Sequence, residues 1–196
     1  MTQRSASSQQ LHELLAESEA VQARFDALDL RVSDTRWSQR PAPERWSVAE
    51  CVAHLNLSSE AMLPLLHAAL AAARKLPAIG ARRYSGTMLG RFLRLMLGPA
   101  PRLGQRVIGG TRTPAAFVPG GSLPRHEVAA AFRQHLLHER ELIRESEGLA
   151  IDRAMIESPF AAGAQYDAWS ALRIVVRHEL RHLVQAERAL ETLEGR

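Results

Sequence analysis

The chain is poor in the residues that define several protein classes. Its 196 residues include a single cysteine, which excludes an internal disulfide framework. No run approaches the roughly 20 apolar residues of a membrane-spanning helix, and the first ten residues lack the apolar core of a signal peptide. Aromatic residues make up only 5% of the sequence, which disfavours a base-stacking nucleic-acid surface. We therefore expect a soluble, cytoplasmic protein that binds no nucleic acid and forms a single domain over residues 1–196.

Acidic residues are absent from a long central stretch. No Asp or Glu lies between Ala61 and His126, whereas basic residues recur there, so the net charge of +4 understates a local basic field. Residues 76–123 are also rich in glycine and proline, and we interpret them as a long basic crossover between two helices. Four roles are open for this segment: a cover over the other helices, a dimer contact, a mouth for an anionic substrate, or a membrane-surface element.

Within the crossover, residues 88–97 mix large apolar side chains with Arg91 and Arg94, a pattern that predicts a short amphipathic helix. Apolar residues that lie together in a soluble protein usually pack against something. We therefore expect Phe92, Leu93 and Met96 to be covered by the remaining helices or by a second subunit, while several arginines stay in water.

Helical periodicity dominates the rest of the chain, and no segment alternates convincingly as a strand would. The periodic segments are about residues 8–30, 47–75, 124–147 and 165–194. The second begins with Ser47 and Glu50, three residues apart, as in a capping box, and Pro64 is expected to kink it. These four long helices predict an all-α fold, a four-helix bundle with the basic crossover between helices two and three.

Two histidines, His178 and His182, lie four residues apart in the last predicted helix. At about 100° per residue they share one face, so both imidazoles can reach a single metal ion. Alanine and aliphatic residues fall on the same side, whereas arginines occupy the opposite arc. The simpler alternative is a pair of ordinary buried histidines, but burying two imidazoles requires polar partners, and one divalent ion supplies them to both.

The sequence from His178 to His182 also matches the HExxH pattern of zinc proteases, in which the glutamate is the general base. Such proteases take a third ligand further along the chain, but no histidine follows His182. Glu179 is therefore expected to be partly enclosed and to support the ligands through an ion pair or contact, with a general-base role as the less favoured option. Serine-hydrolase chemistry is also disfavoured, because no serine lies in a nucleophile elbow.

The third ligand must then come from upstream, and His54 is the best candidate. It lies on the inward face of the second predicted helix, one turn beyond the single cysteine, Cys51. We interpret Cys51 as a small buried side chain rather than a fourth ligand. His135 and His138 are three residues apart on the third predicted helix, but nothing supplies a further ligand, so we expect them at the surface or its boundary.

These residues resemble the DinB/YfiT-like superfamily of bacterial metalloenzymes, over about residues 10–192. The similarity rests on the following positions: Trp46 to Glu50, His54 and Leu55, Ser158 to Phe160, Gly163, and the closing His178, His182, Leu183 and Gln185. The resemblance implies a four-helix bundle in which three histidines hold a divalent metal that is open to water or substrate. Its members include transferases that use low-molecular-weight thiols, such as bacillithiol or mycothiol, and a mycothiol-dependent maleylpyruvate isomerase.

By this resemblance, the first expected function is thiol transfer at a metal held by His54, His178 and His182. A metal-dependent hydrolase is the enzymatic alternative, and a non-catalytic metal-binding or dimeric binding module is the alternative of a different class. Three imidazoles accommodate zinc, nickel, iron or copper. The expected partners are a small-molecule substrate, anionic or thiol-containing, and a second copy of the chain in a homodimer.

Overall fold

A computed structural model describes residues 5–98 and 113–195, and the backbone of residues 102–103 and 106–107. These residues are mostly helical, which confirms the all-α class. The helices are α1 (Ala6–Arg31), α2 (Asp34–Trp37), α3 (Val48–Ala73), α4 (Met88–Leu97), α5 (Arg125–Glu145) and α6 (Ala168–Leu193). The four long ones lie within a few residues of the predicted segments. None of the helices in the described ranges combines the length and the apolar character needed to cross a bilayer.

The core lies among the four long helices. Helix α3 packs against α5 and α6, and α1 packs against the same two helices. The rings of Phe25 on α1 and Phe132 on α5 meet edge to face, with their centroids 4.9 Å apart, and both side chains are fully buried. Burial of such apolar side chains is the main favourable term in folding. Fully buried leucines on three helices extend the same core: Leu66, Leu136 and Leu172.

Short strands that sequence patterning did not predict interrupt the loops. The first antiparallel pair is β1 (Arg102–Leu103) with β2 (Arg106–Val107), and the second is β3 (Met155–Glu157) with β4 (Gln165–Asp167). Strands of two or three residues are too short to show an alternating pattern. Gly163, in the turn between β3 and β4, has a φ of 75°, a conformation that favours glycine.

The start of the crossover is attached to the loop that follows α5. The Tyr84 hydroxyl lies 3.0 Å from the Ser146 carbonyl oxygen and 3.1 Å from that of Leu149. The Arg82 guanidinium forms a two-point ion pair with Asp152, at 2.5 and 2.8 Å. These contacts hold the segment just before α4 against the loop that follows α5, and they therefore position the first turn of α4.

Helix α4 lies against α6 and approaches it closely at a glycine. A Cβ atom added to Gly90 would lie 2.3 Å from the Cβ atom of Ser170, so only glycine fits there. Leu93 and Leu97 pack against the core on the same side. The remaining large side chains of α4 do not. Within the described residues, Phe92 and Met96 are 58% and 39% exposed, so the other helices do not cover them as the first of the two expected options required. Cover by a second subunit stays a prediction, and Leu93 is partly buried as expected.

Candidate metal centre

Three histidines from two packed helices converge at one point. His54 lies in the second turn of α3, and His178 and His182 lie on consecutive turns of α6. Each offers one ring nitrogen, and these atoms all lie within 4.8 Å of one another. The Nε2 atoms of His54 and His178 are 3.2 Å apart. The structure therefore brings together the three residues that sequence analysis selected, in an arrangement that could hold a metal ion.

His54 is oriented by the backbone of the distant crossover. Helix α3 begins with the predicted capping box, in which Ser47 and Glu50 exchange side-chain and backbone hydrogen bonds. Further along, Nδ1 of His54 lies 2.8 Å from the carbonyl oxygen of Phe117. A carbonyl only accepts, so Nδ1 carries the proton and Nε2 presents its lone pair toward His178. Metal-binding histidines are commonly fixed in this way through their second nitrogen.

All three imidazoles favour the neutral form. Burial lowers the pKa of His54, and burial together with the neighbouring histidines lowers the pKa of His178 to about 3 and that of His182 well below its ordinary value. His54 and His182 are only 5% and 8% exposed. A neutral imidazole is the form that binds a metal ion.

The donor set fits a divalent ion. Nδ1 of His182 is buried without a hydrogen-bond partner among the described residues. The Gln185 side chain is near enough to oppose the lowering of the His182 pKa. Buried polar atoms without partners are uncommon in folded proteins. Three nitrogen donors without a carboxylate suit zinc, nickel, iron or copper better than magnesium or calcium.

Aromatic side chains enclose the histidines on two sides. The Trp46 ring lies 5.1 Å from the His54 ring and 5.9 Å from that of His182, measured between centroids. On the other side, Phe160 lies 6.4 Å from the His178 ring and packs on Phe117 at 4.6 Å. These rings form the apolar surroundings of the three imidazoles.

Glu179 belongs to a buried carboxyl pair that sequence analysis did not find. It is 2% exposed and lies close to Glu139 of α5, which is 1% exposed. Burial raises the pKa of Glu139 to about 7, and burial together with Glu139 raises the pKa of Glu179 well above its ordinary value. Arg140 partly opposes both shifts. These shifts favour the protonated form of the Glu179 carboxyl.

The histidines line a cavity of about 1050 Å³. Its apolar wall includes Phe117, Phe160 and three leucines of α4, namely Leu89, Leu93 and Leu97. A second group of lining residues is basic and consists of Arg45, Arg181 and Arg188, with Glu44 nearby. A cavity of this size holds a small organic molecule, and its charges favour an anion.

Comparison with protein families identifies the chain. The model of the DinB superfamily matches residues 14–186, a range that contains all three histidines. The chain belongs to the DinB superfamily. Comparison with curated proteins and with solved structures found no match. The family match assigns no substrate, so the substrate of this chain must be inferred from its own cavity.

The remaining candidates occupy the places that sequence analysis gave them. Cys51 is fully buried, and burial raises the pKa of its thiol. His138 is exposed, and His135 is half-buried at 3.8 Å from Glu60. Two contributors to the site were missed, Phe117 and Glu139. The sequence carries no signal for the Phe117 contact, because a backbone carbonyl can be supplied by any residue type.

Proposed function

We propose that this DinB-superfamily protein is a metal-dependent enzyme that transfers a low-molecular-weight thiol to an electrophilic small molecule. The observation that carries the proposal is the convergence of three neutral imidazoles on the wall of a large cavity. His54, His178 and His182 would hold the ion, and the four long helices would form a bundle of the DinB/YfiT type. A reachable cavity favours an enzyme over a metal that serves the structure alone.

The groups around the site would orient the ligands of a divalent ion and surround a thiolate bound to it. The Phe117 carbonyl holds the His54 ring with Nε2 toward His178. When bound there, a divalent ion acts as a Lewis acid that lowers the pKa of a thiol cosubstrate. Trp46 and Phe160 lie beside the ligand histidines and would contact a substrate bound at the metal.

The cavity itself restricts the substrate class. Arg45 and Arg188 would attract a carboxylate or phosphate group, and the leucines of α4 would contact an apolar portion. Arg181, whose Nη1 atom donates to the Met96 carbonyl oxygen at 2.8 Å, joins this basic side of the cavity to α4. We therefore infer an anionic substrate with an apolar part.

Glu179 has a supporting role in this proposal. It follows His178 directly in α6, lines the cavity and shares its buried position with Glu139. The protonated carboxyl would fix the turn of α6 that carries His178, rather than remove a proton from the reacting thiol.

Elemental analysis combined with turnover assays tests the proposal. The purified protein would be loaded with zinc, nickel or iron and assayed with bacillithiol, mycothiol or a simple thiol against several anionic electrophiles. We expect thiol-dependent, metal-dependent turnover that His178→Ala abolishes and His138→Ala, on the exposed part of α5, preserves. Turnover that needs the metal but no thiol would replace the transferase with a hydrolase. Equimolar metal without any turnover would favour a non-catalytic binding module.

A further inference from the structure

Helix α4 presents an unusually apolar surface to solvent. Four large side chains point outward: Met88, Phe92, Leu95 and Met96, with exposed fractions of 88%, 58%, 79% and 39%. At about 100° per residue they occupy one continuous arc of the helix. We call this arc the outer face of α4. Single exposed apolar residues are ordinary, but a contiguous set marks an interaction surface.

The orientation of this face is fixed by the opposite side of the helix. Gly90 lies against Ser170 of α6, and Leu93 and Leu97 pack on the core. At the start of the helix, the backbone N–H of Thr87 donates to Asp167, which also caps α6. Because α4 is anchored on one side, the outer face cannot turn inward without breaking these contacts.

The outer face is bordered by positive charge. Arg91 is exposed on the flank of this face. Arg94 lies beside Arg177 of α6, and the partial burial of Arg94 together with the charge of Arg177 lowers the pKa of Arg94. Arg181 reaches the end of the helix through the Met96 carbonyl. Glu17 is the acid that acts on Arg94, and the sequence from 61 to 126 supplies none. An apolar face with an arginine border is complementary to an anionic surface that has an apolar interior.

We propose that the outer face of α4 docks on an anionic lipid bilayer. The apolar side chains would enter the boundary between headgroups and acyl chains, while Arg91 and Arg94 would meet the headgroup charges. A second copy of this chain fits the charges less well. A two-fold interface brings the same patch against itself, which would place the arginines of one copy beside those of the other.

This inference goes beyond the proposed function and does not depend on it. Leu93 and Leu97 of α4 line the cavity that contains the histidines. With its outer face docked, α4 would therefore lie between the bilayer and this cavity. An amphiphilic substrate that partitions into the bilayer would then be concentrated next to the cavity.

Vesicle sedimentation of the full chain tests the docking. Vesicles of mixed phosphatidylglycerol and phosphatidylcholine would be compared with phosphatidylcholine alone. We expect binding to the anionic vesicles that weakens with salt, because the headgroup attraction is screened. Phe92→Gln combined with Leu95→Gln should reduce the partition coefficient at least about tenfold, since two apolar side chains lose their burial. Arg91→Gln should reduce it about fivefold.

The matched control replaces two exposed leucines elsewhere. Leu30→Gln combined with Leu137→Gln removes side chains that are 90% and 48% exposed on α1 and α5, and it should leave vesicle binding unchanged. All variants should melt as the parent does, since none alters the core. Equal loss of binding in both double variants, or equal binding to neutral vesicles, would overturn the proposal. An absence of binding to the anionic vesicles would overturn it as well, and a dimer that only the Phe92 and Leu95 substitutions dissociate would then assign the outer face to a second copy of the chain.

Discussion

The three-histidine site and the outer face of α4 depart from the ordinary pattern of burial in opposite directions. At the site, polar groups such as His54, His182 and Glu179 are less than one-tenth exposed. On α4, Phe92 and Leu95 are more than half exposed. Each arrangement costs free energy in the isolated chain, because buried polar groups lose water and exposed apolar groups order it. The comparison therefore motivates two separate proposals, a metal ion bound in the interior and a membrane surface bound by α4.

The largest expected difference between the regions concerns leucine packing. Leu66→Ala on α3 removes a fully buried side chain and should lower the free energy of unfolding by about 2 to 5 kcal/mol. Leu95→Ala on α4 removes a side chain that is 79% exposed and should change it by less than about 0.5 kcal/mol. Urea denaturation measures both. If both variants lowered the free energy of unfolding by similar amounts, Leu95 would be covered in solution and the contrast between the buried core and the exposed face of α4 would not hold.

Metal binding should stabilise the interior and leave α4 unaffected. An ion that binds only the folded state raises the free energy of unfolding by about 2.7 kcal/mol when its free concentration is a hundredfold above Kd. His182→Ala should abolish most of the rise in Tm on zinc addition, whereas His138→Ala, an exposed histidine on α5, should retain it. Thermal denaturation with and without zinc gives the comparison. A full metal-induced rise in His182→Ala would remove this residue from the site.

The buried carboxyl pair should make the interior sensitive to pH. The pKa of Glu139 is raised from 4.5 to about 7, so the folded state holds its proton more tightly than the unfolded state does. The contribution of Glu139 to the free energy of unfolding is therefore fully present below pH 4.5 and is lost as the pH rises through 7. Glu139→Gln should therefore gain stability relative to the parent protein between pH 5 and pH 8, by about 2 kcal/mol.

The control for this titration lies two residues away on the same helix. Glu141 is exposed, so Glu141→Gln makes the same change of side chain in water and serves as the matched control. Denaturation curves at pH 5 and pH 8 measure the difference. If Glu139→Gln changes the free energy of unfolding by the same amount at both pH values, the pKa of Glu139 is not raised in the folded protein.

Sequence periodicity predicted the elements that carry the histidines. The apolar pattern fixed which face of α3 and α6 is buried, and the capping box fixed where α3 begins, so His54, His178 and His182 were all expected inside. This reasoning works because each inference concerns residues within a few helical turns. The meeting of the three imidazoles was less certain, because it depends on how α3 packs against α6.

Contacts between distant segments were not predictable in the same way. The pairing of Glu139 with Glu179 joins two helices, and the Phe117 carbonyl comes from the crossover. The amphipathic pattern of residues 88–97 predicted α4, but Phe92 was assigned to the covered side. Gly86 and Gly90, four residues apart, were the available signal, because small residues mark the side on which a helix approaches its neighbour closely.

A metal titration that compares two histidines of α3 tests the central claim most directly. His54 lies in the candidate metal centre, whereas His67 is exposed further along the same helix. Isothermal titration of zinc into metal-free protein should give equimolar binding for the parent and for His67→Ala, and binding weakened at least about tenfold for His54→Ala. Equal affinity in His54→Ala and His67→Ala would contradict a metal centre built from these three histidines.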